Sequence, residues 1–345
     1  MENGRSTSTH AGELLPAPFG SLPVLVYDHG FDPASRRQTV VRIAAAGSNS
    51  PETRVVPELT NNNYHVTPRG WVFISEPGTK RARLWNPTSG ESVELPRMEQ
   101  PLPANWKCYL SDEPTAASCV VLVLVMSEPR FLYCHVGAGS RWIAHEYDIG
   151  NVRLLPEYAP PRRLFIGKTA AVNGKFYFVE TGKLGVLEFT PAPAFSYLEY
   201  PHLELPDGSN CGTSFLVSSH GELFEVHVFL KDFTTEILAV RVCRIDLSGE
   251  RPAFCDVDDL GDRTFLLGDS NSVLLCSASK HGVKGNRVYF MRNMLREADG
   301  GLLRVYDLGD KTLEAVRPCP GVSELMCNPF WMMPSDQCLE ETIEH

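Results

Sequence analysis

A strand-rich unit recurs along most of this 345-residue chain at intervals of roughly 40 to 50 residues. Each copy begins at a glycine-containing turn, continues with a strand rich in aromatic and β-branched residues, and adds further strands after polar gaps. The glycines that begin the clearest copies are Gly70, Gly174, Gly221 and Gly285. The long interval between the first two holds one more copy, built from the runs 119–126, 131–136 and 142–148. Helical periodicity is nearly absent, so the sequence predicts an all-β chain.

A three- or four-stranded unit with this period is typical of a β-propeller blade. A single small sheet cannot bury both of its faces, so such sheets stack around a central channel. Five copies are visible between residues 62 and 317, and the two ends of the region supply the strands of another. We therefore predict a β-propeller of six blades, or of seven if the region 231–272 holds an additional sheet.

The ends of the repeat region also predict how the ring closes. The strand-like runs 23–27, 39–43 and 53–56 form an incomplete blade, and the run 329–333 belongs to no other blade. We predict that the C-terminal run pairs with the N-terminal strands, because this pairing leaves no exposed sheet edge. The propeller then forms a single domain over 23–333, between flexible segments at 1–22 and 334–345.

Composition and charge exclude several classes of protein. The chain has 32 basic and 42 acidic side chains and a net charge of −10, which opposes sequence-independent binding of nucleic acid. Its most apolar run, 120–126, is far shorter than the roughly 20 residues of a membrane-spanning helix, and no signal peptide precedes it. The ten cysteines form no Cys-X-X-Cys pair, and several lie in strand-like runs. We expect buried free thiols in a reducing compartment, and hence a cytoplasmic or nuclear location.

The candidate metal and nucleophile sites have simpler structural interpretations. The carboxylate cluster 256–262 lacks the alternation and the closing Glu of a calcium loop, so we predict no metal site there. Cys134 and His135 are adjacent on a predicted strand, and such neighbours point to opposite faces, so they are not expected to form a catalytic pair. We predict no catalytic residues and no cofactor.

Two groups of charged residues leave alternatives open. Glu180, Glu188 and Glu225 lie on or beside strands. They could face the channel as the acid and base of a hydrolase, or they could be solvent-facing residues of alternating strands. Arg162 and Arg163 follow two prolines in a connection, where they form either a solvated loop or a contact with a peptide or a phosphate.

Several segments occur in a set order along the chain. They are 84–91 (LWNPTSGE), 170–177 (AAVNGKFY), 259–268 (DLGDRTFLLG), 284–290 (KGNRVYF) and 305–308 (VYDL). The Asn-Gly-Lys pattern alone also occurs in kelch-like repeats, but the ordered set, above all the third and fourth segments, is more specific. Together they resemble the plant KIB-type β-propeller family, whose members are often fused behind an F-box. The resemblance covers residues 23–333.

This resemblance implies a non-enzymatic protein-interaction module. F-box members are similar to substrate receptors of cullin-type ubiquitin ligases, in which the F-box binds a Skp-type adaptor and the propeller binds the target. Other members resemble regulators of a shaggy-type kinase. An F-box is helical, whereas only 22 residues, including Pro16 and Pro18, precede the first predicted strand, so we do not expect Skp-type adaptor binding. We expect a substrate-recognition or regulatory adaptor with an unidentified protein partner. A hydrolase that uses channel carboxylates is the alternative.

Overall fold

A computed structural model describes residues 23–332, apart from 33, 45, 46, 49, 117, 138, 154–160, 181, 191, 202, 233, 269–272 and 292–300. This part of the chain contains 28 strands and two four-residue helices, α1 (Pro57–Thr60) and α2 (Ala278–His281). The prediction of an all-β chain is confirmed. Neither helix is long and apolar enough to span a membrane. The segments predicted to be flexible, 1–22 and 334–345, lie outside the described residues.

The strands follow one another in short antiparallel groups. The first fourteen are β1 (Val24–His29), β2 (Arg37–Ala44), β3 (Gly47–Ser48), β4 (Glu52–Arg54), β5 (Asn63–Val66), β6 (Val72–Ser75), β7 (Ala82–Trp85), β8 (Ser92–Glu94), β9 (Trp106–Leu110), β10 (Val120–Val125), β11 (Arg130–His135), β12 (Ile143–Glu146), β13 (Asn151–Val152) and β14 (Arg162–Arg163). The others are β15 (Thr169–Val172), β16 (Lys175–Glu180), β17 (Lys183–Phe189), β18 (Pro193–Glu199), β19 (Ser209–Ser219), β20 (Glu222–Lys231), β21 (Ile237–Asp246), β22 (Ala253–Asp256), β23 (Arg263–Leu267), β24 (Val273–Ser277), β25 (Arg287–Met291), β26 (Leu303–Asp307), β27 (Thr312–Val316) and β28 (Phe330–Met332).

Six sheets of these strands form a ring. Blades 1 to 4 are the meanders β5–β8, β9–β12, β15–β18 and β19–β22, blade 5 contains β23–β27, and blade 6 combines β28 with β1–β4. The innermost strands, β28, β5, β9, β15, β19 and β24, contact one another in that order, and β24 contacts β28 again. The prediction of six blades is therefore confirmed. In the described part of 231–272 the strands complete blade 4 or belong to blade 5, so they form no seventh sheet.

The ring closes by the predicted pairing of its two ends. Strand β28 supplies the innermost strand of blade 6 and pairs with β1 in antiparallel register, so that Trp331 lies opposite Leu25. The Trp331 side chain is fully buried, and its indole Nε1 donates a hydrogen bond to the carbonyl of Leu267 in blade 5, at 3.2 Å. One residue therefore joins the last strand to the first strand and to the neighbouring blade.

Blade 5 departs from the repeat in a way that the sequence pattern does not reveal. The repeat predicts three strands there, which the structure contains as β25, β26 and β27. Two more strands, β23 and β24, form an antiparallel hairpin on the channel side, and β23 pairs with β25 in parallel. The chain reaches this parallel register through β24 and α2, a connection that a search for consecutive hairpins cannot predict.

The apolar core is distributed between the blades. The described residues contain six buried apolar clusters, and each one lies between two adjacent blades. Alternate residues of a strand contribute to different clusters, because successive side chains point to opposite faces of a sheet. In β20, for example, Phe224 packs against blade 5, whereas Leu223 packs against blade 3.

The repeated glycines serve two different purposes. The turns Asn173–Gly174 and His220–Gly221 have positive φ at both residues, which is the conformation of a type I′ hairpin turn. Gly285 instead lies against the backbone of blade 5, where an added Cβ would be 2.7 Å from the carbonyl oxygen of Gly261. Blade 5 thus keeps the glycine of the repeat, but this position requires the absence of a side chain rather than a positive φ.

Candidate functional site

The two faces of the ring are built from different kinds of connection. In each regular blade the connection between the second and third strands, and the connection to the next blade, lie at the same end of the sheet. We call this end the loop face; it includes the described residues of 30–36, 55–62, 76–81, 95–105, 126–129, 147–168, 182, 200–208, 232–236, 301–302 and 317–329. The opposite end, the turn face, carries shorter turns such as Asn173–Gly174 and His220–Gly221.

Exposed apolar side chains are concentrated on the loop face. Five large ones lie in its connections or at a strand end beside them: Phe31, Val55, Leu205, Leu238 and Met326. Phe31 is 66% exposed and Leu205 is 53% exposed. The other exposed large apolar residues of the described chain lie on outermost strands: Ile143, Tyr197 and Leu313 are at the rim, and Val316 ends β27 next to the loop-face connection 317–329.

Backbone contacts hold two of these exposed residues on adjacent loops. The Gly30 N–H donates to the carbonyl of Glu324 at 3.0 Å, and the Met326 N–H donates to the carbonyl of Asp28 at 2.9 Å. Gly30 has φ of +90°, and an added Cβ would be 2.7 Å from the carbonyl oxygen of Ser35. The loop that carries Phe31 and the segment that carries Met326 are therefore fixed against each other.

A buried carboxylate anchors the same two loops to the ring. Asp28 is fully buried and accepts hydrogen bonds from Arg36 Nη2 at 2.6 Å, Gln38 Nε2 at 2.8 Å and the Tyr64 hydroxyl at 2.6 Å. Arg36 Nη1 also donates to the carbonyl of Thr60 at 2.9 Å. These bonds join blade 6 to blade 1, and because they satisfy the carboxylate, its burial is tolerated.

A cleft of about 380 Å³ opens on the loop face of blade 1, between its β6–β7 connection and the connection that leads to blade 2. Apolar side chains form part of its lining, namely Pro77, Met98, Pro101 and Leu102. Polar residues, among them Glu76 and Lys80, complete it. Its volume is in the range of small ligand sites, so it can receive one or two side chains of a partner.

A second cleft, of about 300 Å³, lies on the same face between blade 2 and the hairpin β13–β14. Arg130, Arg162 and Arg163 line it together with Glu128 and Glu146. Both hairpin arginines are exposed. The basic pair that the sequence singled out therefore lines a cleft and forms the strand β14, which pairs with β13.

A buried polar network joins blades 3 and 4. Glu225, on β20, is 1% exposed and accepts a hydrogen bond from the hydroxyl of Tyr200, which follows the last strand of blade 3. The Nε2 atom of His227 lies 3.8 Å from Glu225 Oε2. Lys168, just before β15, donates from Nζ to Ser214 Oγ at 2.8 Å and interacts electrostatically with Glu225.

Burial dominates the electrostatics of this network. It raises the pKa of Tyr200, and the negative charge of Glu225 raises it further. It lowers the pKa of Lys168 and of His227, while Glu225 opposes both shifts. The network therefore places one carboxylate, one ammonium and a neutral imidazole in a largely dry interface, where each charge depends on the other.

His65, on the innermost strand β5, has a pKa well below its ordinary value. Its ring centroid lies 5.9 Å from that of Trp106 and 6.4 Å from that of Tyr109. Its Nδ1 is buried and makes no hydrogen bond within the described residues. Burial, together with the positive charge of Lys107, lowers the pKa of His65 to about 3. The imidazole is therefore neutral in the folded protein.

Acid is expected to destabilise the protein through His65. The neutral His65 imidazole contributes its full stabilisation of the folded state above the ordinary histidine pKa of 6.5. This contribution is lost as the pH falls towards 3, because between these values the imidazole binds a proton in the unfolded chain but not in the folded protein. Between pH 7 and pH 5 the expected loss is about 1–2 kcal/mol. Urea unfolding at several pH values should show a smaller loss for His65→Phe than for the wild type. His227, whose pKa burial also lowers, accounts for part of the remainder. Equal acid sensitivity in both proteins would contradict this assignment.

The three glutamates considered as channel carboxylates occupy different positions. Glu180 ends β16, and Glu188 lies on β17, where it forms an ion pair with Lys175. Glu225 is buried between two blades. None of these three residues is on an innermost strand. Glu188 fits the solvent-facing interpretation. Glu225 fits neither interpretation, because it faces an adjacent blade instead of the channel or the solvent, and this covering by a second blade is not visible in the sequence.

The carboxylates of the cluster 256–262 are divided among separate partners. Asp256 accepts from Arg241 Nε at 2.6 Å, and Asp262 accepts from the Ser279 hydroxyl at 2.7 Å. In the described residues, no group of three or more His, Cys, Asp or Glu side chains is arranged to hold a metal ion. The cluster forms part of the junction between blades 4 and 5.

The cysteines are free thiols wherever the structure describes them, and several are buried in strands as expected. Cys134 packs into the cluster between blades 1 and 2, and burial raises its pKa. His135 points to the other face of β11, where its ring lies 6.3 Å from that of Tyr133. The two residues are therefore separated by the sheet, as the strand interpretation predicted.

The most exposed apolar residues of the loop face were not identified from the sequence. Phe31 follows Gly30 in a short loop, and Met326 lies in a long connection before the last strand. An aromatic residue inside a turn-rich segment is a weak signal, since single exposed apolar residues are common. Their concentration on one face becomes visible only after the blades are assembled.

The ring of six sheets and its closure define the class of this protein, a six-bladed β-propeller. The sequence model of the KIB1-4 beta-propeller family matches residues 44–311, and the chain belongs to this family. The resemblance to the KIB-type family is thereby confirmed.

No curated protein matches the sequence. Among solved structures, the protein is similar to a functionally unknown protein from Desulfotomaculum acetoxidans, with 11% identity, a TM-score of 0.41, and coverage of 90% of this chain and 89% of that chain. It is also similar to the β-propeller domain of Cps50 (Swd1) from Myceliophteria thermophila, with 9% identity, a TM-score of 0.40, and coverage of 86% and 87%. A third similar structure is the periplasmic gluconolactonase PpgL of Pseudomonas aeruginosa, with 14% identity, a TM-score of 0.36, and coverage of 90% and 99%.

Proposed function

We propose that this protein is a non-enzymatic interaction module that binds a protein partner through its loop face. The β-propeller fold supports protein-interaction modules in general, because a rigid ring presents loops at fixed positions. The observation that carries the proposal is the concentration of exposed large apolar residues and of two clefts on one face of the ring.

The loops of this face are held firmly enough to serve as a preformed surface. Asp28, Arg36 and Tyr64 fix the loops that carry Phe31 and Met326 to two blades. A surface that is ordered before binding loses little conformational entropy on association. Apolar side chains surrounded by polar loops are also the usual composition of a binding patch.

Within its family, we propose that the chain acts as a substrate-recognition or regulatory adaptor. The resemblance to F-box propeller proteins supports a role in which the propeller selects the target. The proposal concerns the propeller alone and requires no contact with a Skp-type adaptor. A soluble compartment such as the cytoplasm or the nucleus suits this role and the free thiols of the chain.

The hydrolase alternative has no support from the glutamates that suggested it. A glycosidase mechanism needs two carboxylates about 5–10 Å apart in an open channel. Glu180, Glu188 and Glu225 lie on second or third strands of their blades rather than on an innermost strand.

Site-specific photocrosslinking tests the proposed surface. A photoreactive amino acid placed at Met326 or Leu205 is expected to capture a protein partner in the cells that express the chain. The matched positions Leu313 and Ile143 are also exposed and apolar but lie on outermost strands, and they are expected to give only background. Met326→Asp should weaken binding of the captured partner by about tenfold or more, and Leu313→Asp should leave it unchanged.

Two results would count against the proposal. One is equal capture from the rim and from the loop face, which would mean that the loop face is not the binding surface. The other is reproducible turnover of a small molecule by the purified protein with no protein captured at any of the four positions.

A further inference from the structure

The cleft beside β13–β14 contains two arginines for which the described part of the chain offers no ion-pair partner. Arg130 is largely neutralised, because its Nη2 lies 3.2 Å from Glu128 Oε1 and Glu146 lies opposite it in the β11–β12 register. Arg162 and Arg163 form no ion pair with any residue that the structure describes. Although the two are neighbours on β14, both line the cleft, and they bring to it positive charge that no ion pair among the described residues compensates.

The contacts of these two arginines position them without consuming their charge. Arg163 Nη2 donates to the carbonyl oxygen of Tyr147 at 2.9 Å, and the Arg162 guanidinium lies 5.6 Å from the centroid of the Phe165 ring. A guanidinium carries five N–H donors in a planar fork. One carbonyl and one ring leave most of these donors available to an anion, and the fork geometry matches the oxygens of a phosphate.

The two glutamates of the cleft restrict which anion fits. Glu128 and Glu146 are both exposed, and they repel a polyanion such as nucleic acid or heparin. They attract a basic side chain placed next to a single anionic group. The volume of about 300 Å³ is at the lower end of ligand-site sizes, so it suits one charged side chain better than a large cofactor.

We propose that this cleft binds a phosphorylated side chain of the protein partner, with Arg162 and Arg163 contacting the phosphate and Glu128 and Glu146 facing a neighbouring basic residue. The proposal rests on the proposed protein-binding function, because the hairpin belongs to the loop face. A phosphate carries more charge than a carboxylate and offers three acceptor oxygens, so it uses two guanidinium groups more completely.

Fluorescence polarisation with two labelled peptide pools tests the proposal. Both pools are short, degenerate on each side of a fixed central residue, and differ only in having phosphoserine or serine at that residue. The wild-type protein is expected to bind the phosphoserine pool in preference to the serine pool. Arg163→Ala should weaken this binding about 10- to 100-fold, because charge-assisted hydrogen bonds to phosphate are lost.

Two further variants separate a binding effect from a folding effect. Glu146→Gln is measured with two phosphoserine pools that carry either lysine or alanine beside the phosphoserine. It should weaken the preference for the lysine pool and keep the preference for phosphoserine over serine, whereas a misfolded protein would lose both. Arg153→Ala is the matched control: Arg153 is an exposed arginine of the same connection that does not line the cleft, and its removal should leave binding unchanged.

Several outcomes would overturn the proposal. They are equal binding of the two pools, equal effects of Arg163→Ala and Arg153→Ala, and displacement of the bound pool by heparin at concentrations where inorganic phosphate has no effect. If the pools fail to discriminate while crosslinking at Met326 still captures a partner, phosphate recognition is excluded and the proposed function stands. If phosphoserine binding is retained but crosslinking shows no preference for the loop face, the proposed function fails instead.

Discussion

Replacing Trp331 with alanine is expected to lower the free energy of unfolding by about 3–5 kcal/mol. The side chain is fully buried between blades 5 and 6, where its ring meets that of Tyr289 edge to face at 6.2 Å. Its removal leaves a cavity in the strand pair that closes the ring and deprives the Leu267 carbonyl of its hydrogen bond. The effect should exceed that of an ordinary core substitution, because the last strand is held to the sheet by only three residue pairs.

Urea unfolding followed by circular dichroism measures this effect. Leu313→Ala is the control; it removes an apolar side chain from an outermost strand where the residue is 39% exposed, and it should change stability by less than about 0.5 kcal/mol. If Trp331→Ala does not fold, Trp331→Phe provides the measurement. This variant keeps most of the packing but loses the indole hydrogen bond, so its free energy of unfolding should fall by about 1–3 kcal/mol. A loss below about 1 kcal/mol in Trp331→Ala would show that this strand does not determine closure.

Replacing Glu225 with alanine is also expected to cost about 3–5 kcal/mol, for an electrostatic reason. The carboxylate is the acceptor for the Tyr200 hydroxyl and the counter-charge of Lys168, both from the neighbouring blade. Without it, a largely buried ammonium and a hydroxyl lose their partner in an interface where burial already lowers the pKa of the lysine. Removing one member of such a pair costs more than the pair itself contributes.

A double-mutant cycle isolates this interaction. Glu225→Ala and Lys168→Met should each destabilise the protein, and the double variant should be more stable than the sum of the two losses predicts. Glu188→Ala is the matched control from blade 3, because its carboxylate pairs with the exposed Lys175 and should contribute less than about 1 kcal/mol. A Glu225→Ala loss no larger than that of Glu188→Ala would contradict the buried-pair explanation.

The sequence predicted those parts of the fold that depend on local pattern. The glycine turns, the aromatic strands and their spacing define each regular blade, and the apolar run 329–333 had no partner except the N-terminal strands. Blade 5 was incomplete in the prediction, because the parallel pairing of β23 with β25 depends on a connection and not on a strand pattern.

The candidate site was predictable only in part. Arg162 and Arg163 stood out as a basic pair, and the structure adds the third arginine and the two glutamates of their cleft. Glu225 could be assigned to a strand, but its partners Tyr200 and Lys168 are 25 and 57 residues away in the chain and come from another blade. Contacts between blades depend on the order and angle of the sheets, and a single sequence carries no local signal for them.

The pairing of β28 with β1 has a consequence for biosynthesis. Strand β1 leaves the ribosome before the other strands of the ring, and the backbone edge that β28 later covers stays open until residues 330–332 have been translated. Throughout that time the nascent chain presents the apolar sequence of Val24–His29, unpaired on one side, to its surroundings. A molecular chaperone that shields this edge until β28 has paired with it would prevent intermolecular strand pairing, and the closed ring would no longer need it.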